Sequence, residues 1–557
     1  MGIYLNPGGD SFGMAVQSDI YVDKTGMLVY LNSILGTEKR FVCISRPRRF
    51  GKSMTANMIA AYYDRTADGD SLFGDLSISR HPSFLQHQGR YDVIQLNMQD
   101  FLSNAETMED MIQLLQKSIL WDLLEAYPDF RYFDNTSLVR TMSDIYQNTK
   151  RRFIIVIDEW DCVFREYKER TGDQKRYLDF LRSWMKDKPY IGLAYMTGIL
   201  PIKKYGSHSA LNMFWEFSME NPNVLAEYVG FTEDEVKGLC RSYGMDFDEC
   251  RSWYDGYHFQ NGISVYNPRS VVGAMTTKVF DTYWNRTETY EALKIYLDMN
   301  FDGLRESILS LLANERVRID TGTFSNDMTT LNRADDVMTL LVHLGYLGYD
   351  FDTKEVFIPN REITQEYVNA LVGSTGWKEV IESVKASDRL LQATLEKKAD
   401  MVADAIEKAH AAMSHLQYND ENALSYAVSL AYYSAKRFYD VIREFPSGKG
   451  YADLVFLPRP RHAEKPAIII ELKWNQDAKA AIQQIKEKGY VQALESYKGR
   501  ILLVGIAYDK RTRKHNCEIE EFEIDAVIAE SEKEMADGAG LIEAREALSA
   551  LRVKHLG

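Results

Sequence analysis

Cysteine is scarce in this chain and badly placed for pairing. The five residues, Cys43, Cys162, Cys240, Cys250 and Cys517, are scattered, odd in number and nowhere spaced as CxxC, which excludes a disulfide framework and leaves reduced thiols in a cytoplasm as the expectation. The ten histidines form no HExxH or zinc-finger spacing, so a zinc site is not expected. Long apolar runs are missing too: Phe153 to Ile157 and Ala467 to Ile470 are strand-sized, and no membrane span is expected. The N-terminus lacks a basic region followed by an apolar stretch, so no secretory signal is expected. Positive charge is in deficit, and the formal net charge of −15 excludes a protein that coats nucleic acid indiscriminately. Local basic patches remain at Lys39-Arg40, Arg46 to Lys52, Lys150-Arg151-Arg152, Lys203-Lys204 and Lys510 to His515. Low-complexity segments and internal repeats are absent.

What is present is an ordinary globular composition, 45% hydrophobic and 26% charged, in a chain of 557 residues that is too long for one core. The expected class is multidomain α/β. Over 1–230, apolar strands at Arg40–Ile44, Tyr91–Leu96, Phe153–Ile157 and Ile191–Met196 alternate with helices at Thr107–Tyr127 and Leu178–Lys186, the pattern of a parallel sheet with crossover helices. Residues 231–285 read as a small aromatic-rich lid or adaptor, opened by a capping box at Thr232 and Glu235. Residues 286–375 read as helical and winged-helix-like, because a helix at Ala334–Leu344, stopped by Gly345, precedes a hairpin at Tyr346–Phe351 and Glu355–Ile358. A helical connector follows over 376–434, and a second α/β domain over 435–557, with a polar helical tail after Ala526.

The first constellation is Ser45-Arg46-Pro47-Arg48-Arg49-Phe50-Gly51-Lys52-Ser53, between a strand and a helix. That is the order of a phosphate-binding loop: backbone N–H groups attract the anion, Lys52 reaches the β- and γ-phosphates, and the Ser53 hydroxyl ligates Mg²⁺. Arg46 stands where the general pattern asks for glycine, and Met54 opens the helix beside the phosphates. About a hundred residues on, Phe153 to Ile157 runs into Asp158-Glu159, a buried strand whose Asp158 would stand by the Mg²⁺ and whose Glu159 would orient or deprotonate the attacking water. Thr197, at the end of a further strand, is a candidate γ-phosphate sensor. Arg46, Arg48 and Arg49 are candidate suppliers of transition-state charge, or face a partner subunit in a homo-oligomer. No Asn-Lys-x-Asp motif is present, which favours ATP over GTP.

The second constellation is Asp453 on one strand and Glu471-Leu472-Lys473 at the end of the next. Residues two apart in a strand share a face, so antiparallel pairing brings Asp453, Glu471 and Lys473 together. Two carboxylates suit Mg²⁺, with Mn²⁺ an alternative, and Lys473 would position the nucleophile or offset developing charge on a phosphodiester. Glu444 is a further candidate metal ligand.

These motifs carry a resemblance. Tyr21 to Thr25, Ser45 to Ser53, Ile157 to Asp161, Met196 to Gly198, Trp253 to Tyr257 and Val265 to Pro268 are similar, in order, to the AAA-ATPase-like family of bacterial proteins, although Cys162 stands where that family is expected to have proline. Family members typically carry a C-terminal domain of the PD-(D/E)xK nuclease superfamily, which residues 435–525 resemble. The resemblance makes the arginine-rich loop a family form. It implies that Gln484 is the glutamine related nucleases place beside the site, that nucleic acid, DNA above all, is the partner, and that the role lies in mobile elements or defence. The expectation is an ATPase joined to a metal-dependent nuclease. Its rivals are an ATP-dependent assembly or signalling switch whose C-terminal domain binds without cutting, and a phosphotransferase acting on a small substrate.

Overall fold

The computed structural model describes residues 2–202, 211–259, 262–284, 291–299, 301–312, 315–325, 331–372, 378–414, 421–447, 450–488, 490 and 500–522. The chain divides into two compact units, one up to Tyr367 and one from Val368 on. The basic pair Lys203-Lys204, residues 448–449 and the tail after Ala526 lie outside the described residues.

The first unit is built on a sheet of β1 (Phe41–Ser45), β2 (Asp92–Asn97), β3 (Phe153–Asp158), β4 (Ile191–Gly198) and β5 (Trp215–Phe217). The order is β2-β3-β4-β1-β5 and every pairing is parallel. Every residue of β1, β3 and β4 is buried, which is why these strands read as unbroken apolar runs. β1 and β3 end on Ser45 and Asp158, so both loops that follow open at the carboxyl edge of the sheet, where parallel α/β sheets bind ligands. The helix expected from Leu178 begins earlier, at Thr171, and carries Tyr177, Leu181 and Trp184 inward. Its first turn is polar and shows no periodicity. β5 is too short to announce itself.

A small antiparallel sheet follows, β6 (Phe231–Thr232), β7 (Tyr257–His258) and β8 (Ser264–Tyr266), in the order β6-β8-β7. The capping box forms as expected, Thr232 accepting from Glu235 N and Glu235 from Thr232 N. The Trp253 to Tyr257 motif is a structural clamp. Gly256 has φ 116°, and a Cβ there would stand 2.2 Å from Pro359 O, so the position demands glycine. Tyr257 donates to Gly345 O at 2.6 Å and Tyr254 to Asp281 O at 2.8 Å.

Beyond it, β9 (Val317–Arg318), β10 (Gly348–Asp350) and β11 (Glu355–Phe357) form a three-stranded antiparallel sheet; β9 precedes and the other two follow the Ala334–Leu344 helix, which Gly345 ends in the left-handed conformation at φ 85°. The arrangement is winged-helix-like, but residues 336–343 of that helix are all buried, Asp336 and His343 included. A helix enclosed in this way presents no face to a DNA groove. Glu362 ties this module to the previous one: its Oε1 accepts from Tyr283 N at 2.6 Å and Trp284 N at 2.9 Å, and its Oε2 from Ser270 Oγ at 2.7 Å. Burial nonetheless pushes its carboxyl up to about 7. A raised carboxyl pKa contributes stability below the unfolded value and loses it as pH rises through 7. Glu362→Gln keeps the acceptor for both N–H groups, so it is expected to flatten the pH dependence between about 4.5 and 7 and to stabilise the protein at pH 8 by about 2–3 kcal/mol. Urea midpoints across that range measure it, and an unchanged slope would sink the assignment.

The second unit holds a sheet of β12 (Tyr439–Ser447), β13 (Gly450–Pro458), β14 (Ala467–Trp474), β15 (Ile501–Asp509) and β16 (Lys514–Phe522) in sequential order, antiparallel except for β14 and β15. Both faces are covered. Leu390, Val402, Ile406 and Val428 pack with Leu454, Ile468 and Leu502 on one side, and Ile482 and Ile485 with Val455, Ile469 and Leu503 on the other. The helices Lys378–Leu395, Ala399–Ser414 and Glu421–Ala431, expected as a connector, thus form one layer of this unit. Among the described residues no helix is long and apolar enough to cross a membrane.

Candidate functional site

The loop after β1 is shaped by two left-handed residues, Arg49 at φ 70° and Gly51 at φ 89°. Alternation of this kind turns successive N–H groups toward one concavity, an anion nest, at the start of the Lys52–Tyr63 helix. Space around Gly51 is open, so its requirement is conformational rather than steric. Lys52 is buried and donates from Nζ to Pro47 O at 3.0 Å. Burial lowers its pKa against the pull of Glu159 and Asp158. The Ser53 hydroxyl lies beside Asp158, the β3 carboxylate; burial raises the pKa of Asp158 and the hydroxyl draws it back. Ser53 and Asp158 would hold a divalent cation, and the donor set of hydroxyl and carboxylate oxygens suits Mg²⁺.

A cavity of about 1010 Å³ opens from this nest. Its lining includes the charged and polar Arg48, Arg49, Lys52, Ser53, Glu159 and Arg165, together with Met54, and the apolar Ile20, Tyr21, Val22, Phe231 and Val272. A lining that combines cations with apolar and aromatic side chains suits a polyphosphate joined to a base. Arg269 also lines it, at the start of the Pro268–Thr277 helix capped by Asn267. Asn-Pro before a helix is a visible start signal, whereas the reach of Arg269 into the cavity is a tertiary fact. Glu159 sits at φ 52° immediately after β3 and accepts from Arg165 Nη2. Arg165 Nε also lies 3.3 Å from Asp161 Oδ2. Asp161 is fully buried and accepts from Ile199 N at 3.0 Å and Leu200 N at 2.8 Å, tying the β3 and β4 loops together. Gly198 is glycine because a Cβ would approach Asp161 Oδ1 to 2.6 Å.

Two expected residues are placed elsewhere. Arg46 is fully buried and points away from the cavity, its Nη1 donating to the carbonyls of Ser45, Phe217 and Ser218 at 2.9, 3.1 and 3.1 Å while its guanidinium lies over Phe259. It anchors the loop to the end of β5, and burial lowers its pKa to about 10. Removing it leaves three buried carbonyls to find new donors, so Arg46→Ala is expected to cost about 3 kcal/mol or more, read as a lower urea midpoint with nucleotide present or absent. Thr197 is fully buried, next to last in β4 and paired with Ile44, and is not among the residues that line the cavity.

In the second unit, Asp453, Glu471, Lys473 and Gln484 come together. β13 and β14 pair at Leu454↔Ile470, and Asp453 Oδ2 accepts from Leu472 N at 2.7 Å. Lys473 Nζ is 3.1 Å from Glu471 Oε1, which also accepts from Gln484 Nε2. Tyr490 stands 3.3 Å from Gln484 Nε2 and donates to Tyr451 O at 2.7 Å, fixing the glutamine from behind. Glu471 is 2% exposed, and burial first, then Asp453, push its carboxyl up to about 7. Its Oε2 is buried with no hydrogen-bond partner, an orphaned oxygen that a cation held with Asp453 would satisfy. Glu444 stays out of this group: it is exposed, at φ 46°, in the break between the pairs Arg443↔Leu454 and Phe445↔Ala452. Among the described residues no group of three or more His, Cys, Asp or Glu is gathered as a metal site.

The geometry defines a P-loop parallel-sheet domain and a mixed-sheet nuclease-like unit. Residues 10–207 match the family model described as "Predicted AAA-ATPase", AAA-ATPase-like, and residues 420–518 match that of the PD-(D/E)XK nuclease superfamily. A curated relative, an uncharacterized protein in the vnfD 5′ region of Azotobacter chroococcum mcd 1, is 25% identical over 280 residues, 48% of this chain and 51% of that protein. The chain spans about half the length of this relative. Among solved structures, the Walker-type ATPase of Pyrococcus abyssi matches at 16% identity and a TM-score of 0.31, over 62% of this chain and 94% of that one. Cdc6p of Pyrobaculum aerophilum matches at 10% identity and a TM-score of 0.24, over 65% and 96%.

Proposed function

We propose that the protein binds and hydrolyses ATP in the first unit and cleaves nucleic acid, DNA in particular, in the second, with the nucleotide gating the cut. The observation that carries the reading is the convergence of Asp453, Glu471, Lys473 and Gln484 around one orphaned carboxylate oxygen. A buried glutamate held by a lysine and a glutamine beside a second carboxylate is a poor structural device and a good ligand set. In the ATPase site, Lys52 and the nest would hold the phosphates, Ser53 and Asp158 would hold Mg²⁺, and Glu159 would take the proton of water. In the nuclease site, Asp453 and Glu471 would hold the metal, Lys473 would offset charge on the phosphate, and Gln484 would orient Glu471. Bound there, Mg²⁺ or Mn²⁺ supplies Lewis acidity toward the scissile phosphate. We assign 1–230 to the ATPase, 231–285 to a lid over its cavity and 286–367 to the winged-helix-like module. The second unit is assigned to the nuclease with its helical layer. A cytoplasmic location accords with the reduced cysteines. A place in mobile-element biology or defence rests on the family resemblance.

A second reading has one observation in its favour. With no third carboxylate gathered among the described residues, the second unit could bind nucleic acid or protein without cutting, as the output of an ATP-driven switch. The test compares wild type, Lys52→Ala and Asp453→Asn on linear, circular and single-stranded DNA and on RNA, with and without ATP. Metal-dependent cutting that disappears in Asp453→Asn supports the nuclease. Binding without cutting in the wild type supports the switch.

A further inference from the structure

Arg165 belongs to no recognised motif, yet it lies among the charged residues that line the cavity. It is on the one-turn helix Cys162–Glu166, its side chain is 13% exposed, and its guanidinium is divided between two carboxylates. Nε faces Asp161 Oδ2 at 3.3 Å, and Nη2 donates to Glu159 Oε2. The two carboxylates differ in freedom. Asp161 is fully buried and held by two backbone N–H groups, so that end of the contact is fixed. Glu159 is a quarter exposed and lines the cavity, so that end is free to exchange. The other cations of the cavity, Arg48, Arg49 and Lys52, share its lining, and Arg48 lies close enough to Arg165 for their charges to oppose each other.

Resting on the ATPase reading, we propose that Arg165 pivots on Asp161 and exchanges Glu159 for the terminal phosphate of a nucleoside triphosphate, so that arrival of the γ-phosphate releases Glu159. A phosphate oxygen competes well for the guanidinium nitrogen that Glu159 holds, because both accept charge-assisted hydrogen bonds and the phosphate carries more charge. The step then balances. Water adds to the γ-phosphorus, the bond between that phosphorus and the β,γ-bridging oxygen breaks with its electron pair going to ADP, and the water proton passes to the released Glu159. Arg165 takes up charge on the γ-oxygens as they separate. ADP lacks the γ-phosphate and leaves Arg165 on Glu159, so Arg165 distinguishes the two nucleotides.

The test measures binding of ADP and of the non-hydrolysable analogue AMP-PNP, with Mg²⁺, to the full chain, alongside single-turnover hydrolysis. Arg165→Ala is expected to weaken AMP-PNP by about 10-fold or more while ADP changes less than about twofold, and to slow hydrolysis by about 10²-fold or more. Arg165→Lys is expected to recover part of the AMP-PNP affinity. Glu159→Gln removes the competitor for Arg165, so AMP-PNP should bind several-fold more tightly than to the wild type, and the double variant should lose that gain. The inference is overturned if ADP and AMP-PNP weaken together in Arg165→Ala, if neither changes, if hydrolysis rises, or if Glu159→Gln brings no gain. A wild type that binds neither nucleotide overturns the ATPase reading itself, and this inference with it.

Discussion

Lys52→Ala is expected to lower ATP turnover by about 10²–10³-fold and to weaken ATP binding by about 10-fold or more. The ammonium of Lys52 is buried at the mouth of the nest with Pro47 O as its hydrogen-bond acceptor. Burial makes this charge costly, and the cost is recovered when a phosphate replaces the carbonyl. Alanine deletes the charge without disturbing the left-handed turn at Gly51 or the placement of Ser53 beside Asp158. The protein should therefore stay folded, with a urea midpoint close to wild type, which separates this variant from Arg46→Ala. Phosphate release and nucleotide titration measure the effect. Turnover within threefold of wild type would remove Lys52 from the site.

Asp453→Asn is expected to abolish metal-dependent cleavage, a loss of about 10³-fold or more, because several kcal/mol of charge stabilisation at the phosphate would go with the metal. Asparagine keeps an oxygen for Leu472 N, and the β13–β14 pairing beside it is backbone to backbone, so the hairpin should hold. Lost with the negative charge is the repulsion that, after burial, raises the carboxyl of Glu471. Cleavage assays over a Mg²⁺ and Mn²⁺ titration read the result. Cutting that survives unchanged would show that the phosphodiester chemistry, if any, lies elsewhere.

Much of this was legible in the sequence because it is local. Gly51-Lys52-Ser53 and Asp158-Glu159 stand at strand ends, where buried apolar runs announce the strand and the next polar residue announces its edge. Asp453, Glu471 and Lys473 follow from the two-residue period and one hairpin. The rest depends on register and direction. Arg46 lies in the loop by sequence, but the pairing of β1 with β5 aims its side chain at Phe217 O and Ser218 O. Glu444 lies opposite Asp453 by counting, but its φ of 46° takes it out of the ladder. Arg165 reaches Glu159 from a single turn of helix whose orientation no spacing encodes. β12 and β16 are outer strands, diluted by Arg443 and Glu444 in one and by Glu518, Glu520 and Glu521 in the other, and their alternation does not stand out.

The remaining loop residues are spoken for on its far side. A Cβ at Gly345 would meet Pro47 at 2.7 Å, and Phe50 is set edge-on to Tyr257 and Trp284 at 5.3 and 6.3 Å. The phosphate loop is thus a keystone, wedged between the sheet it follows and the two small modules that come after it in the chain. Its stiffness is borrowed from residues two to three hundred positions away, and a chain cut after residue 230 would strip the aromatic backing from Phe50. The least divisible block of the first unit is therefore the whole stretch to Tyr367, which should melt as one cooperative body rather than as an ATPase with appendages.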